Sequence, residues 1–164
     1  MGFVLDTNLA GEDLFNYHLN LGYETIDMTD FTIAPTYFSS GVTSDLQMKG
    51  IVMTHVFGFG TKIAPGTRFW MGPEIRVQWA KGTPDKAKDV NVKMFGFGVG
   101  AAAGLNFNLP KVTIGLKTGY DLVVYNGDVD GHLDATTSID QSYEVDARVF
   151  YVNLEFMFRS RWDK

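Results

Sequence analysis

Between residues 68 and 81 the chain alternates strictly. Odd positions carry Phe69, Met71, Pro73, Ile75, Val77 and Trp79, and even positions carry Arg68, Trp70, Gly72, Glu74, Arg76 and Gln78. A period of two sends successive side chains to opposite faces of a β-strand. One face is apolar with an aromatic at each end, and the other holds charge in mid-strand.

The same pattern recurs along the chain. Phe15, Tyr17, Leu19, Leu21 and Tyr23 oppose Asn16, His18, Asn20 and Gly22. Phe31, Ile33, Pro35 and Tyr37 oppose Thr32, Ala34, Thr36 and Phe38. Phe95, Phe97, Val99, Ala101, Ala103, Leu105 and Phe107 oppose Gly96, Gly98, Gly100, Ala102, Gly104 and Asn106. Val112, Ile114, Leu116, Tyr120 and Leu122 oppose Thr113, Gly115, Lys117, Gly119 and Asp121, with a change of phase assigned to Thr118. Phe150, Val152, Leu154, Phe156 and Phe158 oppose Val149, Tyr151, Asn153, Glu155 and Met157. Residues 46–59 are mixed, and a bulge near Gly50 would switch their faces. A short first strand over residues 3–9 brings the expected count to eight.

The connections are expected to differ in length. Residues 10–13, 24–28, 60–67 and 108–110 read as compact turns, and residues 39–45, 82–88 and 125–142 as longer polar loops. Short turns at one end and longer loops at the other are the asymmetry of bacterial membrane barrels.

Composition narrows the field. The 164 residues fit one domain, 1–164, with 45% hydrophobic and 20% charged residues. No apolar run is long enough for a transmembrane helix. A membrane barrel hides its lipid face in alternation, which agrees with a mean hydropathy near zero. There is no Cys, so disulfides and thiolate chemistry are excluded. A net charge of -5 argues against nucleic acid as a partner. Met1-Gly2-Phe3-Val4-Leu5-Asp6 carries no leader pattern, so a secreted protein would stand here either in its mature form or expressed with its leader removed.

Periodicity alone does not say which face looks inward. In a soluble calyx the apolar face lines the interior; in a membrane barrel it meets lipid. The small stripe Gly96, Gly98, Gly100 and Gly104 suits a crowded interior better than a solvent face. The aromatic ends of the apolar rows suit membrane interfaces. The expected fold is therefore all-β: an eight-stranded antiparallel up-and-down transmembrane β-barrel. Its interior polar network would comprise Asn16, His18, Asn20, Glu74, Arg76, Gln78, Lys117, Asp121, Asn153 and Glu155. Its lipid face would comprise Phe15, Leu19, Leu21, Phe69, Ile75, Val77, Trp79, Phe97, Leu116, Phe150, Leu154 and Phe156. Pro35 and Pro73 each need a bulge or an unpaired position.

The alternating strands, the small ladder of residues 95–107, the Asn108-Leu109-Pro110 turn and the closing residues 149–158 resemble small outer-membrane barrels of the OmpA, OmpX and OmpW kind. In that family the last strand alternates apolar residues and ends in an aromatic read by the insertion machinery. The matching positions are Phe150, Val152, Leu154, Phe156 and Phe158, and residues 159–164 extend beyond the family's usual end. The resemblance implies the outer membrane of a diderm bacterium, with the lipid bilayer as partner and an extracellular ligand held by the loops. It also implies a non-enzymatic role in envelope support or surface interaction, or else porin-like passive transfer of small hydrophobic molecules. A soluble lipocalin-like binder is the third alternative.

No chemistry rises above this. His18, His55 and His132 share no local motif, and His132 with Ser138 does not match the His-x-Ser pair of lipid-deacylating barrels. Asp128, Asp130 and Asp134 near Gly127 and Gly131 lack the spacing of a calcium loop. Gly96-Phe97-Gly98 sits inside a strand, not before a helix, so it is no phosphate loop. No catalytic residue, metal or cofactor is expected.

Overall fold

The computed structural model describes residues 2–8, 14–33, 42–132 and 137–158. They form strands β1 (Gly2–Asp6), β2 (Phe15–Ile33), β3 (Val42–Ala64), β4 (Thr67–Pro84), β5 (Val90–Asn108), β6 (Val112–His132) and β7 (Ser138–Phe158). Each pairs antiparallel with its sequence neighbour, giving one seven-stranded up-and-down sheet. No helix occurs among the described residues.

The strand count is one fewer than the pattern suggests. Residues 24–28, expected as a connection, lie within β2 and pair with β3 from Glu24↔Gly50 to Met28↔Leu46. What looks like a break is a bulge between Met28 and Phe31, with Asp30 at φ 55°. The bulge shifts the inward residues from even to odd numbers without ending the strand. β1 stops at Asp6, and Leu9, the 10–13 turn, Pro35, Tyr37 and Phe38 lie outside the described residues.

Elsewhere the register is smoother than expected. It runs unbroken through Gly50, which pairs with Glu24 and Ala80, so no bulge lies there. Thr118 causes no change of phase: it points outward with Leu116 and Tyr120, and its hydroxyl donates to the Tyr151 carbonyl at 3.0 Å. Pro73 is unpaired towards β3 but pairs with Ala101 of β5. The β3–β4 ladder passes over Phe57, Gly58, Gly72 and Pro73 and resumes in the same register. Pro65-Gly66 makes the β3–β4 turn, with Gly66 at φ 74°, the conformation that position i+2 of a type II turn requires.

The strands outrun the expected loops. β3 begins at Val42 and extends to Ala64, β4 reaches Pro84, β6 reaches His132, and β7 starts at Ser138. Residues 125–132 and 138–142, read as loop, are therefore strand, as are 42–45 and 82–84. The reason is a reversal of polarity along each strand. Towards this end Leu46, Met48, Val90, Val92, Met94, Val129 and Ile139 are buried in one apolar cluster. Lys49, Lys81, Lys93 and Asp128 point outward at the same height. The alternation persists with its sign inverted, and polar outward residues imitate a loop.

At the other end, near the tight turns, the outward face is apolar and the inward face polar. The outward rows are Phe15–Tyr23 on β2, Phe69–Trp79 on β4, Phe95–Phe107 on β5 and Phe150–Phe158 on β7, counting alternate residues. Each is near the ~9–11 residues of a tilted transmembrane strand. The 23 residues of β3 span roughly 75 Å at the rise of a β-strand, far more than a hydrocarbon layer about 30 Å thick.

The sheet rolls on itself but does not close. β1 pairs only with β2 and β7 only with β6. With seven alternating strands β1 and β7 run in the same direction, so they cannot continue the antiparallel ladder between them. Side chains bridge the interior instead: His18 to Glu155, Tyr151 to Glu74, and the Phe31 ring edge-on to Tyr143 at 6.3 Å.

Candidate functional site

Alternate residues of five strands converge on one polar interior. Glu74 and Arg76 lie on β4, Lys117 and Asp121 on β6, His18 and Glu24 on β2, and Tyr151 and Glu155 on β7. Thr54 enters from β3 between Val52 and Val56. Register brings distant residues together: Gly100 of β5 pairs with both Glu74 and Asp121, so the two carboxylates flank one small residue.

The centre is Lys117, fully buried. Its Nζ lies 2.8 Å from Glu74 Oε2 and donates to Thr54 Oγ1 at 2.9 Å. Tyr151 donates its hydroxyl to Glu74 Oε1 at 2.7 Å, and the Lys117 ammonium stands 5.3 Å from the Tyr151 ring centroid. A second group surrounds Arg76. Its Nη2 donates to Glu24 Oε2 at 2.5 Å and its Nη1 lies 3.9 Å from Asp121 Oδ2. Gln78 also donates to Glu24, at 3.1 Å, and accepts from the Tyr125 hydroxyl at 2.7 Å. The third group is His18, held between Asp6 and Glu155 at 3.2 Å on either ring nitrogen and tilted against the Trp70 ring.

Of the expected interior residues, Asn16, His18, Glu74, Arg76, Gln78, Lys117, Asp121 and Glu155 are buried, and Asn20 and Asn153 are half-buried. The expected outward residues all point away from this interior; Phe69, Ile75, Val77 and Leu19 are half-buried by their neighbours, and the others are exposed. Sequence reasoning missed Glu24, assigned to a connection, and Asp6, Thr54, Tyr125 and Tyr151. Tyr151 and Asp6 alternated correctly with apolar neighbours, and that was their signal; Tyr125 was hidden by the reversal of polarity.

Large side chains fill the space that small ones leave. A side-chain carbon at Gly104 would collide with the Trp70 indole, and one at Gly96 with the Tyr125 ring. Trp70 donates Nε1–H to Asn106 Oδ1 at 3.3 Å. Gly104→Leu is therefore expected to cost about 1–3 kcal/mol through overpacking. Ala103→Leu, one residue earlier and facing outward, is expected to change stability little. Urea unfolding of the two variants checks the contrast.

Paired charges and large side chains fill this interior. An eight-stranded barrel has room only for its own side chains, and a narrower sheet has less. The other candidates stay apart. His55 faces outward and meets the Tyr17 hydroxyl at 2.5 Å. His132 pairs with Ser138 across β6 and β7. Asp130 binds Lys93 at 3.0 Å and Asp128 accepts from Ser142 at 2.9 Å, while Asp134 lies outside the described residues. Among the described residues no cluster of three or more His, Asp or Glu could hold a metal.

At the seam a cleft of about 450 Å³ separates β1 from β7, lined by Gly2, Val4, Asn20, Glu24, Asn153 and Glu155. Glu155 Oε2 is buried without a hydrogen-bond partner there. Comparison with protein-family models, curated proteins and solved structures finds no match to this chain.

Proposed function

We propose that this chain is a non-enzymatic β-barrel of the outer membrane of a diderm bacterium, serving envelope support or surface interaction. The observation that carries it is the reversal of polarity on a single set of strands. Near the tight turns the outside is apolar: Phe150, Leu154 and Phe158 are 70%, 64% and 80% exposed. At the same height the inside holds Glu74, Arg76, Lys117 and Asp121. Soluble proteins rarely expose so large an apolar face, which is interrupted on the outside by His55 on β3 and by Arg148 and Asp146 at the edge on β7. Bulk lipid would cover it, and the ion pairs would satisfy one another inside. A soluble calyx needs the opposite arrangement over this half.

The other half would stand in water, with Lys, Asp and Gln outside and an apolar core within. The surface available for an external ligand is then the outer wall and rim of this projecting sheet, more than the loops, because residues 42–45, 82–84, 125–132 and 138–142 belong to strands. Hydrocarbon offers no partner to unpaired backbone groups, so β1 and β7 must be bridged in the bilayer. Passive transfer of small hydrophobic molecules is a second reading, favoured by the lateral cleft between β1 and β7.

Detergent extraction and heat-dependent gel migration test the proposal. The expected result is a chain that needs detergent and migrates differently when boiled. A chain that remains soluble and monomeric without detergent would overturn it. Uptake of an apolar dye into liposomes separates the two functional readings.

A further inference from the structure

Resting on that membrane reading, we propose that the outer wall at Lys49, Lys81 and Lys93 binds the phosphate headgroup of a membrane lipid. The register sets Lys49 opposite Lys81 and Lys81 opposite Lys93, three like charges on adjacent strands β3, β4 and β5. Like charges directly opposite each other destabilise a sheet. Lys93 is held by Asp130 at 3.0 Å, whereas Lys49 and Lys81 have no ion pair among the described residues. Their repulsion is relieved by an anion that lies across the row. Of the neighbouring acid groups, Asp85 pairs with Lys88 at 3.3 Å, Asp27 accepts from Gln47 at 2.9 Å, and Asp128, opposite Lys93 at the far end of the row, accepts from Ser142.

Height selects a lipid over a free anion. The next outward row towards the tight turns is Tyr23, Ile51, Trp79 and Phe95, with Trp79 and Phe95 ring centroids 5.3 Å apart. Below it the wall on β3, β4 and β5 is apolar down to the row of His55. The lysines therefore stand at the upper rim of the belt, where lipid phosphates lie, and aromatic residues mark that boundary. A groove of about 950 Å³ joins both rows, lined by Lys49, Lys81 and Lys93 above and by Tyr23, Ile51 and Trp79 below. A phosphate in the upper part would leave its acyl chains lying over Ile51 and Trp79.

The test uses the full chain folded in dodecylmaltoside micelles. It is titrated with dihexanoyl phosphatidic acid, dihexanoyl phosphatidylcholine and inorganic phosphate, with tryptophan emission as readout. Saturable binding of the phosphatidic acid is expected, with much weaker responses to the other two. The double variant K49Q/K81Q should weaken it roughly tenfold to thirtyfold, while K86Q/K111Q, which removes two exposed charges outside the row, should not. Equal binding of phosphatidylcholine, equal binding of inorganic phosphate, or an unchanged K49Q/K81Q would each overturn the proposal and leave the membrane reading intact. Failure of the wild-type chain to fold in micelles would overturn both.

Discussion

Glu74→Leu is expected to destabilise the protein by roughly 3–5 kcal/mol, the cost of leaving a buried charge without its partner. The side chain is 1% exposed and touches Lys117 Nζ at 2.8 Å. Removing the carboxylate strands a fully buried ammonium and takes the acceptor from Tyr151. Thr54 Oγ1 is neutral and compensates only in part. The Lys117→Met variant should cost a similar amount, because Glu74 then faces Asp121 with one cation fewer nearby. The double variant E74L/K117M should recover most of the loss, since replacing a whole buried pair by apolar groups is often neutral. Urea unfolding of the folded protein in detergent, read as a double-mutant cycle, measures the coupling. Additive losses in the double variant would contradict a paired interior.

Val99→Arg separates lipid from water on the outside. Val99 is 53% exposed, paired with Ile75 on one side and Leu122 on the other, midway along the apolar rows. On a water-facing sheet an exposed Val→Arg change usually moves stability by less than about 0.5 kcal/mol. Facing the middle of a bilayer it costs about 2–4 kcal/mol. The same substitution at Gln47, on the outward face of the projecting half, should be nearly neutral. Comparing both variants folded into phosphatidylcholine vesicles gives the contrast, and equal stabilities would show that no hydrocarbon lies against Val99.

Much of the lower half of the sheet was legible in the sequence because one rule governs it. Residues 69–79 alternate without exception, and every even-numbered residue from Arg68 to Gln78 other than Gly72 is buried. The other half follows the same period with the faces exchanged, and its outward polar residues have the composition of loops. Tyr125, Val129 and Ile139 are the residues that could have corrected this, being apolar at positions of constant parity within each strand. The merging of two expected strands into β2 was hidden by the bulge before Phe31, since a phase change resembles a turn when its backbone is unseen.

The interior residues could be named from their face, but their partners could not. Glu74 meets Lys117 because β4, β5 and β6 stack in one register, and the two lie 43 positions apart in the chain. Glu24 reaches Arg76 only because β2 continues past the expected turn. The lysine row of β3, β4 and β5 is likewise a product of register, as Lys49, Lys81 and Lys93 share no local motif.

Trp79 offers the most direct view of what surrounds the sheet. Trp70 is wholly buried, whereas Trp79 is 48% exposed at the edge of the apolar rows. With Trp70→Phe and Trp162→Phe in place, Trp79 is the sole emitter. Folded into vesicles, this variant should be quenched by lipids brominated near the headgroup end of their acyl chains and spared by aqueous iodide. Strong iodide quenching with no response to the brominated lipids would mean that water, not hydrocarbon, lies against this face.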